Sequence, residues 1–482
     1  MNETKERRPV MDMPDYPIYQ EVMNCVGRYM AQTNCRHERY EAFPYPQRLG
    51  ELTDLLRKHV LREEGNIKLY LEMEKAIDNL PLINGHMPRQ ASKADITIRQ
   101  MTEWLQSSMA TIKPYVTTSQ KERIVISIAV WGGYIDKMLD YTWKSLMSEG
   151  NLSTLAKHKH MVFHIQTDEK SRDLIEKSDI TWKMKALGIH VQYGIIPDDI
   201  IEGLNNDSAV YWMLGAVTSL GLQYAIKAKA AFHHSYPDMI YSDKFFEEIL
   251  RLTKVHRNIL APGHRTDESM FLPEMAAYEK GGIIEIPASD LVAHHLNCLH
   301  INAWSCLVNN RPKNWFYPEK HVLIWEGNDL VYFNCPHANA LWLSYETIKN
   351  LPQRYFMTID SELDLICKGD DFYIPQECDS LYMCEFSNQG RSPVNDLWCK
   401  VEQYTTYMWS VITHRDSLKF FVRGMKMPIN RKIRPLKADH KLYDDQIAVE
   451  RAFLANACVA NDLYEGVILG RPRWIDGKIF RI

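Results

Sequence analysis

The chain has 482 residues, with 57 Lys and Arg against 61 Asp and Glu, a net charge of −4, and 45% hydrophobic against 24% charged residues. That balance excludes an intrinsically disordered chain, which needs few apolar residues and a high net charge, and 22 Gly and 22 Pro exclude a collagen-like sequence. A near-neutral surface is not built to coat nucleic acid or an anionic membrane, and ten scattered cysteines with no C-x-x-C are too few for a disulfide framework.

Residues 1–120 read as mainly helical. Leu49, Leu52, Leu55, Leu56, Val60 and Leu61 recur at helical spacing within residues 47–80. A second such stretch covers 94–109, and LPLINGHMPRQ between them is a loop. This region is expected to act as a helical cap or as a surface for homo-oligomerisation. The opening MNETKERRPVMDMPDY lacks the apolar core of a secretory signal. No run of about 18 apolar residues suggests a spanning helix. The expected location is therefore the cytoplasm.

From residue 121 the texture changes. ERIVISIAVW is a continuous β-branched run, the mark of a strand buried on both faces. WGGYIDKMLDYTWKSLMSEGN then reads as a turn and a helix. HMVFHIQTD (160–168) is a second strand, EKSRDLIEKSDITWKMKALG a helix stopped at Gly188, and IHVQYGIIP a third strand. Residues 208–231 form a long small-residue helix, PDMIYSD a short fourth strand, and KFFEEILRLTKV a helix. Such alternation indicates an α/β domain with a mostly parallel sheet. Residues 257–390 are mixed, with strands expected at 282–288, 321–327 and 329–334 and at DFYIPQ. Residues 391–482 are helical in part and end in an extended tail. Three regions result: 1–120, 121–390 and 391–482.

Ligands of parallel sheets bind at the carboxyl ends of the strands. The first strand ends in Ala129-Val130-Trp131-Gly132-Gly133, where the glycines either admit a ligand or make an ordinary turn. It matches neither G-x-G-x-x-G nor G-x-x-x-x-G-K-[ST], which disfavours dinucleotide oxidoreductases and P-loop enzymes. Thr167 and Asp168 end the second strand, and Asp168 either meets a base or ribose or caps the next helix. Ser242 and Asp243 end the fourth; Asp243 either helps hold a divalent cation or caps a helix. Asp238 lies five residues before Asp243, on the opposite face of a regular strand, so no carboxylate pair is expected. His264, Arg265, Asp267 and Glu268 supply a cation and two carboxylates, or else a polar surface loop. His337 follows a strand and either lines a pocket or stands in a loop. His294, His295, Cys298 and His300 lack the H-E-x-x-H spacing of a zinc hydrolase and read as packed or acceptor-facing. The triplets 360–362 and 377–379 are acidic, and Trp131, Trp304, Trp315 and Trp325 are candidates for stacking on sugar faces.

The order of elements resembles that of nucleotide-sugar-dependent glycosyltransferases of the GT-A type. SIAVW stands as the strand that receives the nucleotide, and PDMIYSD occupies the place of the Asp-x-Asp segment. Closer still is the resemblance to uncharacterised bacterial glycosyltransferase-like proteins. It extends over roughly residues 121–390 and is carried by SIAVWGGYIDKMLDYTWKSLMSEGNL, the helix leading to PDMIYSD, GHRTDESMF, TIDSELD and ECDS. The chain departs from a strict Asp-x-Asp, with Ser242-Asp243 instead.

The resemblance implies a GT-A-like, Rossmann-like fold: a mostly parallel sheet flanked by helices, between helical N- and C-terminal regions. It implies transfer of a sugar from a nucleotide-diphosphate donor to a glycan, lipid-linked or small-molecule acceptor. On this reading Ala129, Trp131, Gly132, Thr167, Asp168, Ser242, Asp243, His264 and Arg265 hold the donor. Asp243 would ligate Mn²⁺ or Mg²⁺, and Asp267, Glu268 and His337 would serve catalysis. Such chemistry needs the leaving diphosphate neutralised and, for the acceptor, a base. The alternative is a non-catalytic nucleotide-sugar or carbohydrate-binding protein. A methyltransferase is disfavoured by the missing glycine-rich first turn.

Overall fold

The computed structural model describes residues 60–61, 65–78, 93–300 except 116, 118, 205–206 and 263–264, 338–356, and most of 366–367 and 372–388. It also describes the backbone of short strands at 322–326, 330–334, 425–428, 473–475 and 478–480. His264, His337, Trp304, Trp315, the 360–362 triplet, Glu377, Asp379 and the leucine pattern of 49–56 lie outside the described residues.

Two compact units are present. In the smaller, helices α1 (Ile67–Asp78) and α2 (Lys93–Thr111) bury Tyr70 and Met73 and, at i, i+4 and i+8, Met101, Leu105 and Met109. Glu74, 1% exposed, accepts from Arg99 Nη2 at 3.0 Å. Residues 202–219 and 353–357 complete this unit. There Tyr355 donates its hydroxyl to the Trp212 carbonyl and its amide to the Gly65 carbonyl.

The larger unit holds the strands. They are β1 (Arg123–Ala129), β2 (His160–Thr167), β3 (His190–Ile195), β4 (Ala231–Ser235), β5 (Met239–Tyr241), β6 (Asn258–Pro262) and β7 (Arg265–Asp267). After these come β8 (Glu279–Lys280), β9 (Ile283–Ile284), β10 (Val322–Glu326), β11 (Leu330–Asn334), β12 (Ala338–Leu343), β13 (Met383–Ser387), β14 (Met425–Pro428), β15 (Arg473–Ile475) and β16 (Lys478–Phe480). Six form one sheet in the order β3-β2-β1-β4-β12-β6. β1 to β4 are parallel, and β12 runs antiparallel between β4 and β6. A smaller sheet, β5-β13-β7, pairs β13 antiparallel to β5 and parallel to β7. The chain is thus a mixed α/β protein with a mostly parallel six-stranded sheet flanked by helices, a Rossmann-like arrangement.

The two faces of the sheet differ in chemistry. Ile124, Ile126 and Ile128 join Met161, Phe163 and Ile165 on one face, in a core shared with Met138, Trp143, Leu146, Phe245, Phe246 and Ile249. Opposite them a polar row crosses four strands: Gln192, His164, Ser127 and His234 stand side by side in register. Gln166 Nε2 lies 3.1 Å from Ser127 Oγ and 3.2 Å from His164 Nδ1. The His164 ring stacks on Tyr224, whose hydroxyl donates to Gln192 Oε1 at 2.5 Å. Tyr224 belongs to helix α3 (Asp207–Ala228), and Gly221 of the same helix lets it approach this row. A Cβ on Gly221 would stand 2.3 Å from Ser127 Oγ and 2.8 Å from Ser127 Cβ. Gly221→Ala is therefore expected to destabilise the fold by about 1–3 kcal/mol, as overpacking does. Ser127→Gly in the same chain should recover part of that loss, read as the urea midpoint of the double variant.

Burial holds three imidazoles neutral. The loss of solvation pushes His164 and His295 down to about 3 and His233 down to about 4, from an ordinary value of 6.5. A folded-state value below the unfolded one means that the unfolded chain takes protons first. Stability is then complete above about pH 6.5 and falls as pH drops towards 4, by up to about 1.4 kcal/mol per pH unit for each imidazole. Urea midpoints should be flat from pH 7 to 8 and decline steeply between pH 6 and 4.5. A midpoint constant down to pH 4.5 would mean that these rings are not buried neutral.

Several expectations change. The fourth parallel strand is β4, AFHHS, not PDMIYSD. The helix expected over 208–231 ends at Ala228, and β5 joins the smaller sheet. Two histidines disguise β4 as polar, yet both are buried. The helix expected over 169–188 is two, Glu169–Glu176 and Asp179–Ala186, because the Ser178 hydroxyl caps the second by accepting from the Thr181 amide. Gly188 ends the second helix at φ +80°, as expected. Of 282–288, only Ile283–Ile284 pairs, and a helix starts at Ala288 after Pro287. Among its described residues, DFYIPQ contributes one bridge, Tyr373 to Ile259. Within the extended tail, β15 and β16 pair antiparallel. Residues 209–228 are long and apolar enough to cross a membrane, although 72% of that window is buried in protein, as in a core helix.

Candidate functional site

Strand order reverses between β1 and β4, and ligands of such sheets bind outside the carboxyl ends at that reversal. At the end of β1, the Val130 amide donates to the Gln166 carbonyl. Gly132 then takes φ +58°, which disfavours any other residue, and no atom lies within 4 Å of where its Cβ would be. Trp131 is half-buried, and Ala129 is buried. At the end of β2, Thr167 is buried with no partner for its hydroxyl among the described residues. Asp168 caps the next helix: Oδ1 accepts from the Ser171 amide at 2.8 Å and Oδ2 from its hydroxyl at 2.6 Å.

The segment after β4 follows the helical stretch that begins at Tyr134. Thr142 Oγ1 donates to the Pro237 carbonyl at 2.8 Å and accepts from the Met239 amide at 3.0 Å. Ser145 Oγ accepts from the Tyr241 amide, and the Gly150 amide points at Asp243 Oδ1, 3.4 Å away. The two segments thus advance together, and β5 carries the chain away from the sheet's carboxyl edge. Asp238 stays near that edge, and Asp243 ends at the far side. Ser242 is buried there; its hydroxyl accepts from the Tyr382 amide, and its carbonyl from Asn151 Nδ2. Asp243 Oδ1 also accepts from the Lys244 amide at 2.9 Å. The structure therefore groups Ala129, Trp131, Gly132, Thr167 and Asp168 at adjacent strand ends and sets Ser242 and Asp243 apart from them.

A charged cluster forms on β7 and β13 instead. Their parallel register places Arg265 beside Glu385, and Arg265 Nη2 meets Glu385 Oε1 at 2.9 Å. Thr266 Oγ1 donates to the Glu385 carbonyl, which locks that register. Glu268 forms an ion pair with Lys137, one helical turn before Thr142. Asp267 is buried and caps helix Glu268–Met275, with Oδ1 accepting from the amide and hydroxyl of Ser269. The His300 amide faces the Arg265 carbonyl at 3.4 Å, and burial, then the Arg265 charge, holds the His300 ring below its ordinary value.

Asp238 is held by β13, since its carbonyl accepts from the Phe386 amide at 2.9 Å. Burial and then the charge of Glu385 push the Asp238 pKa well above the ordinary carboxylate range, while Arg265 and Lys137 oppose the shift. A carboxyl group buried beside a second carboxylate keeps its proton to higher pH than an exposed one. The arrangement can neutralise an anion through Arg265 and Lys137 and can move a proton through a carboxylate.

Arg265, Asp267 and Glu268 stand out in sequence. Lys137 and Glu385 carry no motif, and Asp238 looks like half of a pair that does not form. The signal for Asp238 is its position just after β4, and the two histidines of β4 hide that strand in the sequence. The histidines of 294–300 take part in packing: His295 meets the Tyr382 hydroxyl, and His294 Nε2 lies 3.0 Å from that of Tyr278. Among the described residues, no three His, Cys, Asp or Glu side chains are grouped as a metal site. Asp243 alone does not fit a hard dication, which needs several oxygen ligands, because its Oδ1 is committed to two amides beside Lys244. No family model matches this chain, and no curated protein matches it.

Proposed function

We propose that this chain is a GT-A-like glycosyltransferase that moves a sugar from a nucleotide-diphosphate donor to a glycan, lipid-linked or small-molecule acceptor. The observation that carries the reading is the Arg265–Glu385, Lys137–Glu268 and Asp238 cluster, fed by the strands that leave the reversal point of the sheet. The nucleotide lies across the open turn at Gly132, beside Trp131 and the Thr167 hydroxyl. As the sugar–phosphate bond breaks, negative charge grows on the diphosphate, and Arg265 and Lys137 stabilise it. Glu268, freed from Lys137 as that ammonium turns to phosphate, takes the acceptor's proton. Asp267 keeps its capping bond and orients the helix that carries Glu268.

A non-catalytic nucleotide-sugar-binding protein is the second reading, and the commitment of Asp243 to backbone amides favours it. Titration with UDP and GDP, with and without Mn²⁺, separates the cases. A transferase binds one nucleotide and slowly hydrolyses its sugar conjugate. Binding without hydrolysis selects the second reading, and binding of neither nucleotide removes both.

A further inference from the structure

A separate cavity of about 920 Å³ opens at the amino ends of β1 and β4, the edge of the sheet opposite the reversal point. We infer that this cavity binds a small polyanion carrying two or more phosphate groups. Its lining contains six Lys or Arg side chains against four Glu, and they converge from several elements. Arg123 opens β1, Lys159 precedes β2, Lys229 precedes β4, and Arg251 and Lys254 come from helix Phe245–Leu252 and the turn after it. Glu122 pairs with Lys159 and Glu248 with Arg251 inside the lining, which engages those two cations as well, and Glu346 pairs with Lys349 outside it, so the lining's other charges are Arg123, Lys229, Lys254 and Arg257 against Glu247. Beside Arg123, burial and then the charges of Arg123 and Lys121 hold His160 below its ordinary value, which marks positive potential at this edge. The volume suits a small-molecule ligand.

Lys229 is the most informative wall residue. It follows the last residue of α3, its amide donates to the Ile226 carbonyl, and the next amide, of Ala230, donates to the Ala225 carbonyl. This pattern ends a helix with a left-handed residue, and that residue is usually glycine. Here it is an exposed lysine at φ +52°, a conformation that L side chains avoid. A lysine kept where glycine fits better places an ammonium at the cavity mouth.

The test is calorimetric titration of the full chain with inorganic tripolyphosphate, paired with thermal melts. The expected result is binding that weakens as salt rises. Lys229→Gly should melt higher than the parent without ligand, yet bind tripolyphosphate about ten-fold more weakly, as loss of a charged contact does. Lys177→Ala, an exposed lysine outside the lining and outside the reversal-point cluster, should leave that affinity unchanged. No binding overturns the inference. So does affinity that Lys229→Gly leaves intact, or binding that Arg265→Ala abolishes, which would assign the anion to the reversal-point cluster.

Discussion

Arg265→Ala is expected to lower nucleotide affinity by about 100-fold or more. A hydrogen bond to a charged group is worth about 1.5–3 kcal/mol, and a guanidinium can give a diphosphate two of them. Here the guanidinium is asked to do two things. It meets Glu385 at 2.9 Å and offsets the repulsion between Glu385 and Asp238, and under the proposed reading it also meets the diphosphate. The Arg265 side chain is 40% exposed, so the fold should lose no more than about 1 kcal/mol from the broken pair. Arg265→Lys should restore only part of the affinity, because an ammonium cannot reproduce the planar fork. The measurement is nucleotide titration beside a urea midpoint. Weak binding with a near-normal midpoint places Arg265 in the site. Unchanged binding removes it, and the proposed donor site with it.

A second substitution should act almost wholly on stability. Asn151→Ala is expected to cost about 3–6 kcal/mol, a large share of the about 5–15 kcal/mol that holds a domain together. Asn151 is buried, and its Nδ2 lies 3.0 Å from the Ser145 carbonyl, 2.8 Å from Ser148 Oγ and 3.0 Å from the Ser242 carbonyl. Its Oδ1 accepts from the Phe246 amide at 3.1 Å. Removing the side chain leaves buried carbonyls and an amide without partners, and each such group costs about 1–3 kcal/mol. Asn151→Asp should not rescue the loss, since a carboxylate turns one donor against two carbonyl oxygens. Guanidinium or urea unfolding of the purified variants checks both. A midpoint close to that of the parent for Asn151→Ala would mean that the turn repacks around the gap. The same knot explains why Ser242 and Asp243 sit where they do: they belong to the support of β5, one face of which packs Tyr241 against Phe245 and Phe246.

Local pattern by itself determined the first three parallel strands. RIVISIA and HMVFHIQT show themselves through β-branched and apolar runs, because a strand covered on both faces needs little else, and the half-buried edge strand HVQYGI shows itself through alternation of Val, Tyr and Ile. The capping alternative for Asp168 was also legible, since a carboxylate ahead of a helix start has a nearby amide to satisfy whatever the rest of the fold does; for Asp267, read as a site residue or a surface loop, capping was not legible. β4 was not legible: His233 and His234 look polar in isolation, and only the neighbouring strands and α3 supply the burial that keeps them neutral. The charged cluster was less legible still. Glu385 meets Arg265 across 120 residues of chain through a strand register, and Lys137 reaches Glu268 across 131. Sequence spacing reports contacts along one helix or strand, whereas these pairings follow from which strands are neighbours. Only the packed structure could therefore move the acidic focus from Asp243 to Asp238.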